Sequence, residues 1–241
     1  MKKKVVALLA GAMLTFATSA MAVQPLQSAD LYIGGTYSTI NMLQGTTDHG
    51  EVSWAQVAEN GGSIETSTLN GQQLNYLYCV DISTTVGVPN DYNNTFVSNS
   101  GQIHLNGTPL TVNNAGSVAY LLQTYGINGQ GDQAKALQAA IWTEIYGTNS
   151  ANQYILDTTY YNANGGSKIV NLYNTYVAEA NTHSGAVDQL RWLSPGLSGD
   201  PSVYQGLVTS GPVPEPSTIV LLCAGIIGLA VFGKYRTVKT A

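Results

Sequence analysis

The spacing of apolar residues changes along the chain, and those changes divide it into stretches of different structure. Asp30 to Leu43 is rich in Tyr, Ile and Thr around Gly34-Gly35. From Glu51 to Val57, the residues Val52, Trp54 and Gln56 alternate with Ser53, Ala55 and Val57, the two-residue period of a strand. Gly61-Gly62 and Asn70-Gly71 are turn signals that bracket a short strand from Ile64 to Leu69. Gln73 to Ser83 gives the clearest strand pattern. Leu74, Tyr76, Tyr78, Val80 and Ile82 fall on one face, and Leu77, Cys79 and Asp81 on the other. From Asn90 to Asn113 the chain is polar and rich in turns, with His104-Leu105-Asn106-Gly107-Thr108 as a hairpin.

The period then lengthens. Ala115 to Tyr125, Asp132 to Tyr146 and Ser167 to Asn181 read as helices. The second has Asp132 as its N-cap and a stripe of Ala134, Leu137, Ile141 and Ile145; the third carries Ile169, Leu172, Tyr173, Tyr176 and Val177 at helical spacing. Asp188 to Leu193 and Ser202 to Thr209 read as returning strands. Strands, then helices, then strands predict an α+β domain: an antiparallel sheet framework, sandwich or barrel-like, with an inserted helical subdomain.

Neither end fits that pattern. Lys2, Lys3 and Lys4 precede an apolar run, Val5 to Phe16, and then small residues ending in Ala20-Met21-Ala22. This is a secretory signal with an A-x-A cleavage site, so residues 1–22 are read as signal peptide, with Ala20 and Ala22 setting the cut. Near the other end, Pro212-Val213-Pro214-Glu215-Pro216 breaks any preceding element, because proline removes amide donors and fixes an extended backbone. The uncharged run 217–233 follows. At ~1.5 Å per residue it reaches roughly 25 Å, a little short of a ~30 Å hydrocarbon layer. Lys234, Arg236 and Lys239 after it predict a transmembrane segment with a cytoplasmic C-terminus.

The order Val213-Pro214-Glu215-Pro216-Ser217-Thr218, apolar span, Lys234-Tyr235-Arg236 resembles the PEP-CTERM tail that exosortases process. That resemblance implies Pro214, Glu215 and Pro216 as the sorting signal, removal of the tail near them, and an exosortase as processing partner. It also implies the membrane as a partner of residues 212–241 before processing, with the outer cell surface or an extracellular matrix as destination.

Between the ends lie residues 23–211, about 190 in all, enough for one domain with its own core. The only basic residues between Val23 and Pro216 are Lys135, Lys168 and Arg191, against all 14 acidic residues of the chain. So acidic a domain argues against nucleic acid as a partner, since phosphate binding depends on Lys and Arg. Of the 2 cysteines, Cys223 lies in the tail, so the exported domain carries Cys79 and no internal disulfide.

Tyr78-Cys79-Val80-Asp81 on a strand and Leu137-Gln138-Ala139-Ala140-Ile141-Trp142 on a helix resemble the thioester domains of bacterial surface adhesins. In that family an aromatic residue precedes the cysteine, Val or Ile follows it, and the glutamine opens a Gln-x-Ala-Ile-Trp run. The residue before the glutamine, often Thr there, is Leu137 here, and position 137 is given no role. The resemblance spans Tyr76 to Gly147. It implies an internal Cys79–Gln138 thioester, shielded by Trp142 and Ile141, acting once as a trap for an amine or hydroxyl of a surface or matrix partner. No enzymatic turnover, cofactor or metal is expected.

Two other readings stay open. In one, Cys79 is a buried small hydrophobe and the protein is a non-covalent structural component of an exopolysaccharide matrix. In the other, Cys79 is the nucleophile of an envelope hydrolase, which requires His49, His104 or His183 beside it.

Overall fold

A computed structural model describes residues 27–48, 51–105, 108–147, 152–198 and 204–211. The expected signal peptide and the tail with its apolar span lie outside the described residues. In chain order the strands before the helices are β1 (Gln27–Ile33), β2 (Ser38–Asp48), β3 (Glu51–Gly61), β4 (Thr68–Leu69), β5 (Gln72–Gln73), β6 (Tyr78–Cys79), β7 (Asn90–Ser98), β8 (Gln102–Leu105) and β9 (Thr108–Thr111). Helices α1 (Ala115–Tyr125) and α2 (Asp132–Tyr146) follow, then β10 (Asn152–Leu156), α3 (Thr158–Ala163) and α4 (Ser167–Ala180). The chain returns through a 3-10 turn, Val187–Gln189, into β11 (Leu190–Ser194) and β12 (Leu207–Ser210).

The fold is α+β. A 7-stranded antiparallel sheet in the order β5-β4-β1-β7-β11-β12-β6 curls into a half-barrel, beside a 3-stranded sheet β10-β2-β3 and the β8-β9 hairpin. Asn70 and Gly71, both at positive φ (51° and 75°), make the tight turn between β4 and β5. Leu105 pairs with Thr108 where the β8-β9 hairpin was expected.

The helical segment is sewn into the sheets. Its strand β10 pairs along β2 from Asn152↔Thr46 to Leu156↔Met42. At the end of β10 the buried carboxylate of Asp157 accepts from Gln56 Nε2 at 2.7 Å and caps α3 through the Tyr160 amide at 2.9 Å. Helix α2 is buried on nearly every side, Ala134, Ala136, Ala139 and Ala140 included, and packs against α1, α4, β10 and β2. Small side chains let those neighbours approach closely.

Besides the strand expected over Ile64 to Leu69, of which only Thr68–Leu69 is extended, three local expectations are corrected. Gln73 to Ser83 is not a continuous strand; within it only Gln73 and the pair Tyr78–Cys79 are extended in a ladder. Tyr76 to Asp81 is buried at every position, so the apparent alternation marks a segment threading the core rather than a half-exposed strand. Its backbone bonds go to several partners, among them Ile64 N–H to the Leu77 carbonyl (2.9 Å) and Val80 N–H to the Gly206 carbonyl (2.9 Å). Second, the polar stretch after Asn90 contains β7, which lies between β1 and β11 at the centre of the large sheet. A bulge opposite Asp30 sets its inward residues at Tyr92, Thr95 and Ser98, which hides the two-residue period. Third, Gly131 is the N-cap of α2, and Asp132 is its first helical residue, 3.6 Å from Lys168 Nζ.

Tyrosines supply much of the core, including Tyr76, Tyr78, Tyr92, Tyr161, Tyr173 and Tyr176. Burial pushes the Tyr76 phenol up to about 12, and burial raises Tyr78 further. A phenol whose folded pKa is raised contributes stability that is complete below the unfolded value of about 10 and is lost as pH rises toward the folded one. The urea midpoint is therefore expected to fall between pH 10 and 12, with tyrosinate absorbance appearing together with unfolding. A midpoint unchanged over that interval would contradict the burial of these hydroxyls.

Candidate functional site

Strand β6 ends the 7-stranded sheet, and its neighbour there is β12, through Tyr78↔Val208 and Cys79↔Leu207. Val80 N–H bonds to the Gly206 carbonyl, so the hydrogen-bonded pairs are Val80 with Gly206 and Tyr78 with Val208. Cys79, between them, turns its N–H and C=O outward, away from β12. Those groups stand at a sheet edge yet out of water, where an unmet backbone group is costly.

The carboxamide of Gln138, from the middle of α2, meets both. Cys79 N–H donates to Oε1 at 2.9 Å, and Nε2 donates to the Cys79 carbonyl at 2.7 Å. One side chain thus takes the place of the absent next strand. Cys79 and Gln138 are both fully buried, and the two residues singled out by sequence are in direct contact.

The thiol has a different partner. Cys79 Sγ donates to Gln205 Oε1 at 3.2 Å, and Gln205 Nε2 donates to the Asp81 carbonyl at 2.6 Å. Burial, and after it the negative charge of Asp81, pushes the Cys79 thiol well above its ordinary range. Asp81 is itself buried, its carboxylate accepting from Ser83 N–H (2.9 Å), Ser83 Oγ (2.6 Å), Thr84 Oγ1 and Tyr146 OH (3.4 Å). The sulfur therefore rests as a neutral thiol.

Trp142 and Ile141 are fully buried. Trp142 and the stem of Gln138 lie together against the backbone of Gly61: a Cβ there would stand 2.6 Å from Cη2 of Trp142 and 2.7 Å from Cγ of Gln138. The indole Nε1 is buried with no hydrogen-bond partner among the described residues. His104 stacks on Phe96 at 5.0 Å and His183 on Tyr120 at 4.7 Å. Neither shares a hydrogen bond with Cys79 among the described residues, and His49 lies outside them.

Sequence reasoning missed Gln205 and misread Gly61. Gln205 sits just before β12, and no motif marks it as a thiol partner. The Gly61-Gly62 pair reads as a turn, but only Gly62 has positive φ; Gly61 is required by what lies beside it.

Residues 212–236 match the family model of the PEP-CTERM protein-sorting motif. That signal implies export through a membrane-anchored stage and exosortase processing to the cell surface. No curated protein and no solved structure matches the chain.

Placing a larger residue at position 61 forces Gln138 and Trp142 off their seat. Gly61→Val is expected to destabilise the domain by about 1–3 kcal/mol, as overpacking of a filled core does, and to shift tryptophan emission. Wild-type stability and emission in that variant would show that the contact yields freely.

Proposed function

We propose that the domain is a surface-displayed covalent trap, in which Cys79 and Gln138 join as an internal thioester. In forming it, Sγ bonds to Cδ of Gln138, the Cδ–Nε2 bond breaks, and the thiol proton leaves on nitrogen as ammonia. The observation that carries this reading is the double hydrogen bond between the Gln138 carboxamide and the Cys79 backbone. It holds the Gln138 carboxamide against the Cys79 backbone, and the Cys79 N–H donates to the oxygen on which negative charge would develop during attack. The resemblance of both segments to adhesin thioester domains supports the same pair.

Complete burial fits storage of such a bond. Water cannot reach it while the domain is closed, and a partner amine or hydroxyl gains access only when the wall around Gln138 yields, with Trp142 and Ile141 as that wall. Capture moves the acyl group to the nucleophile, returns its proton to sulfur and frees the thiol. The domain acts once. Sorting by the tail brings the trap to the surface, where a matrix or cell-surface nucleophile is met. In this reading the tail is cut near Pro214 to Pro216 and the domain leaves the inner membrane.

A second reading is favoured by the same geometry: the carboxamide closes a buried sheet edge and the raised thiol is inert packing, as in a non-covalent matrix protein. Mass separates the two. The covalent trap weighs one ammonia less than its sequence, yields a linked Cys79–Gln138 peptide, and takes up methylamine at Gln138 while exposing one thiol. Cys79→Ala and Gln138→Ala should retain full mass and take up no amine. Full mass in the folded wild-type domain, with a thiol that alkylates on unfolding, would sink the covalent reading and leave the structural one.

Processing has its own test. Protein recovered from the surface of an exosortase-bearing host is expected to lack 221–241, and deletion of Pro214 to Pro216 to hold it in the inner membrane. Surface protein with an intact tail would count against cleavage.

A further inference from the structure

Two carboxamides hold Cys79, and only one belongs to the proposed bond. We propose that Gln205 is the positioning residue of the sulfur, fixing the direction of the Cys79 S–H bond for reaction with Gln138; the inference rests on the covalent reading above.

The geometry leaves Gln205 little freedom. Its Nε2 is committed to the Asp81 carbonyl at 2.6 Å, so Oε1 must face the other way, and there it accepts from Sγ at 3.2 Å. The adjoining backbone is tied to the cysteine segment, with Val80 N–H and Asp81 N–H both donating to the Gly206 carbonyl at 2.9 and 3.3 Å. Gln205 is 4 % exposed and reaches no solvent role. A thiol held this way keeps its proton toward Gln205 and its lone pairs free for an electrophile on another side.

An amide is not a base, so Gln205 takes no proton in either direction. In formation the thiol proton ends on the departing ammonia. In capture, the new N–C or O–C bond forms as S–C breaks, the nucleophile's proton passes to sulfur, and the restored S–H again finds Oε1. The contact present before formation and after capture is absent in the thioester, whose sulfur has no hydrogen to donate.

The experiment expresses wild type, Gln205→Met and Gln205→Glu as insoluble chains that still carry the Gln138 nitrogen, refolds them from denaturant with a phosphine reductant, and follows ammonia loss by intact mass at mildly acidic and at alkaline pH. Met keeps the length but has no oxygen acceptor, and ammonia loss is expected to slow about fivefold, the worth of one hydrogen bond. A protonated Glu can accept from S–H and donate to the Asp81 carbonyl. Gln205→Glu is therefore expected to restore the rate at acidic pH and lose it as the carboxyl ionises. A merely structural role predicts the opposite order, since Met is an apolar isostere and Glu puts an ionisable group beside Asp81 in a buried site. Ammonia loss at the wild-type rate in a folded Met variant overturns the role of Gln205 while leaving the thioester standing. Full mass in wild type overturns both. Should the Met variant not fold, a Glu variant whose rate ignores pH overturns the role.

Discussion

The outward N–H and C=O of Cys79 stand at the open edge of the large sheet, away from water, and the Gln138 carboxamide is what meets them. In the unreacted domain, leaving either unmet would cost about 1–3 kcal/mol, against a net gain of about 1 kcal/mol for each bond made; loss of Nε2 as ammonia would give up the bond to the Cys79 carbonyl. The penalty dictates the surroundings. Helix α2 has to lie close enough for a side chain of this length to span the gap, which its alanines allow. Gly61 has to lack a Cβ so that Gln138 and Trp142 can share the space beside it. Strand β10 and the cap at Asp157 then hold the helical segment against the smaller sheet.

The same burial that demands these hydrogen bonds also governs the sulfur. Asp81 brings a negative charge into the interior, held by hydroxyl and amide donors rather than by a cation among the described residues, and it opposes a second charge on Cys79. A free thiolate is the better nucleophile but the poorer neighbour for such a carboxylate. Orientation, not ionisation, is what this arrangement offers the sulfur. Gln205, just before β12, accepts from the thiol, while Gln138 on α2 holds the backbone of the same residue.

Helices α1, α2 and α4 were legible because a stripe at helical spacing survives whatever packs against it, and their bounds agree with the sequence pattern to within a residue. Strand β7 was not legible. Its inward positions include Thr95 and Ser98, and the bulge opposite Asp30 breaks the alternation that would mark it. The segment around Cys79 failed in the opposite sense: strong alternation, little ladder, because both of its faces are buried. That Cys79 and Gln138 lie in contact agrees with the resemblance of their flanking residues, whereas nothing in the sequence marked Gln205. Its position depends on how β12 returns to β6, a long-range register that nothing in Tyr204-Gln205-Gly206 encodes.

That return has a mechanical side. The chain leaves the described domain through β12, on the way to the sorting motif at 212–236. Tension applied beyond Gly211 enters the fold at this strand, which is laddered to β11 on one side and to β6 on the other. Leu207 faces Cys79 directly, and Gln205 lies two residues further in. A load on the uncut tail therefore reaches the cysteine across a single ladder, before it is shared by β7 or β1.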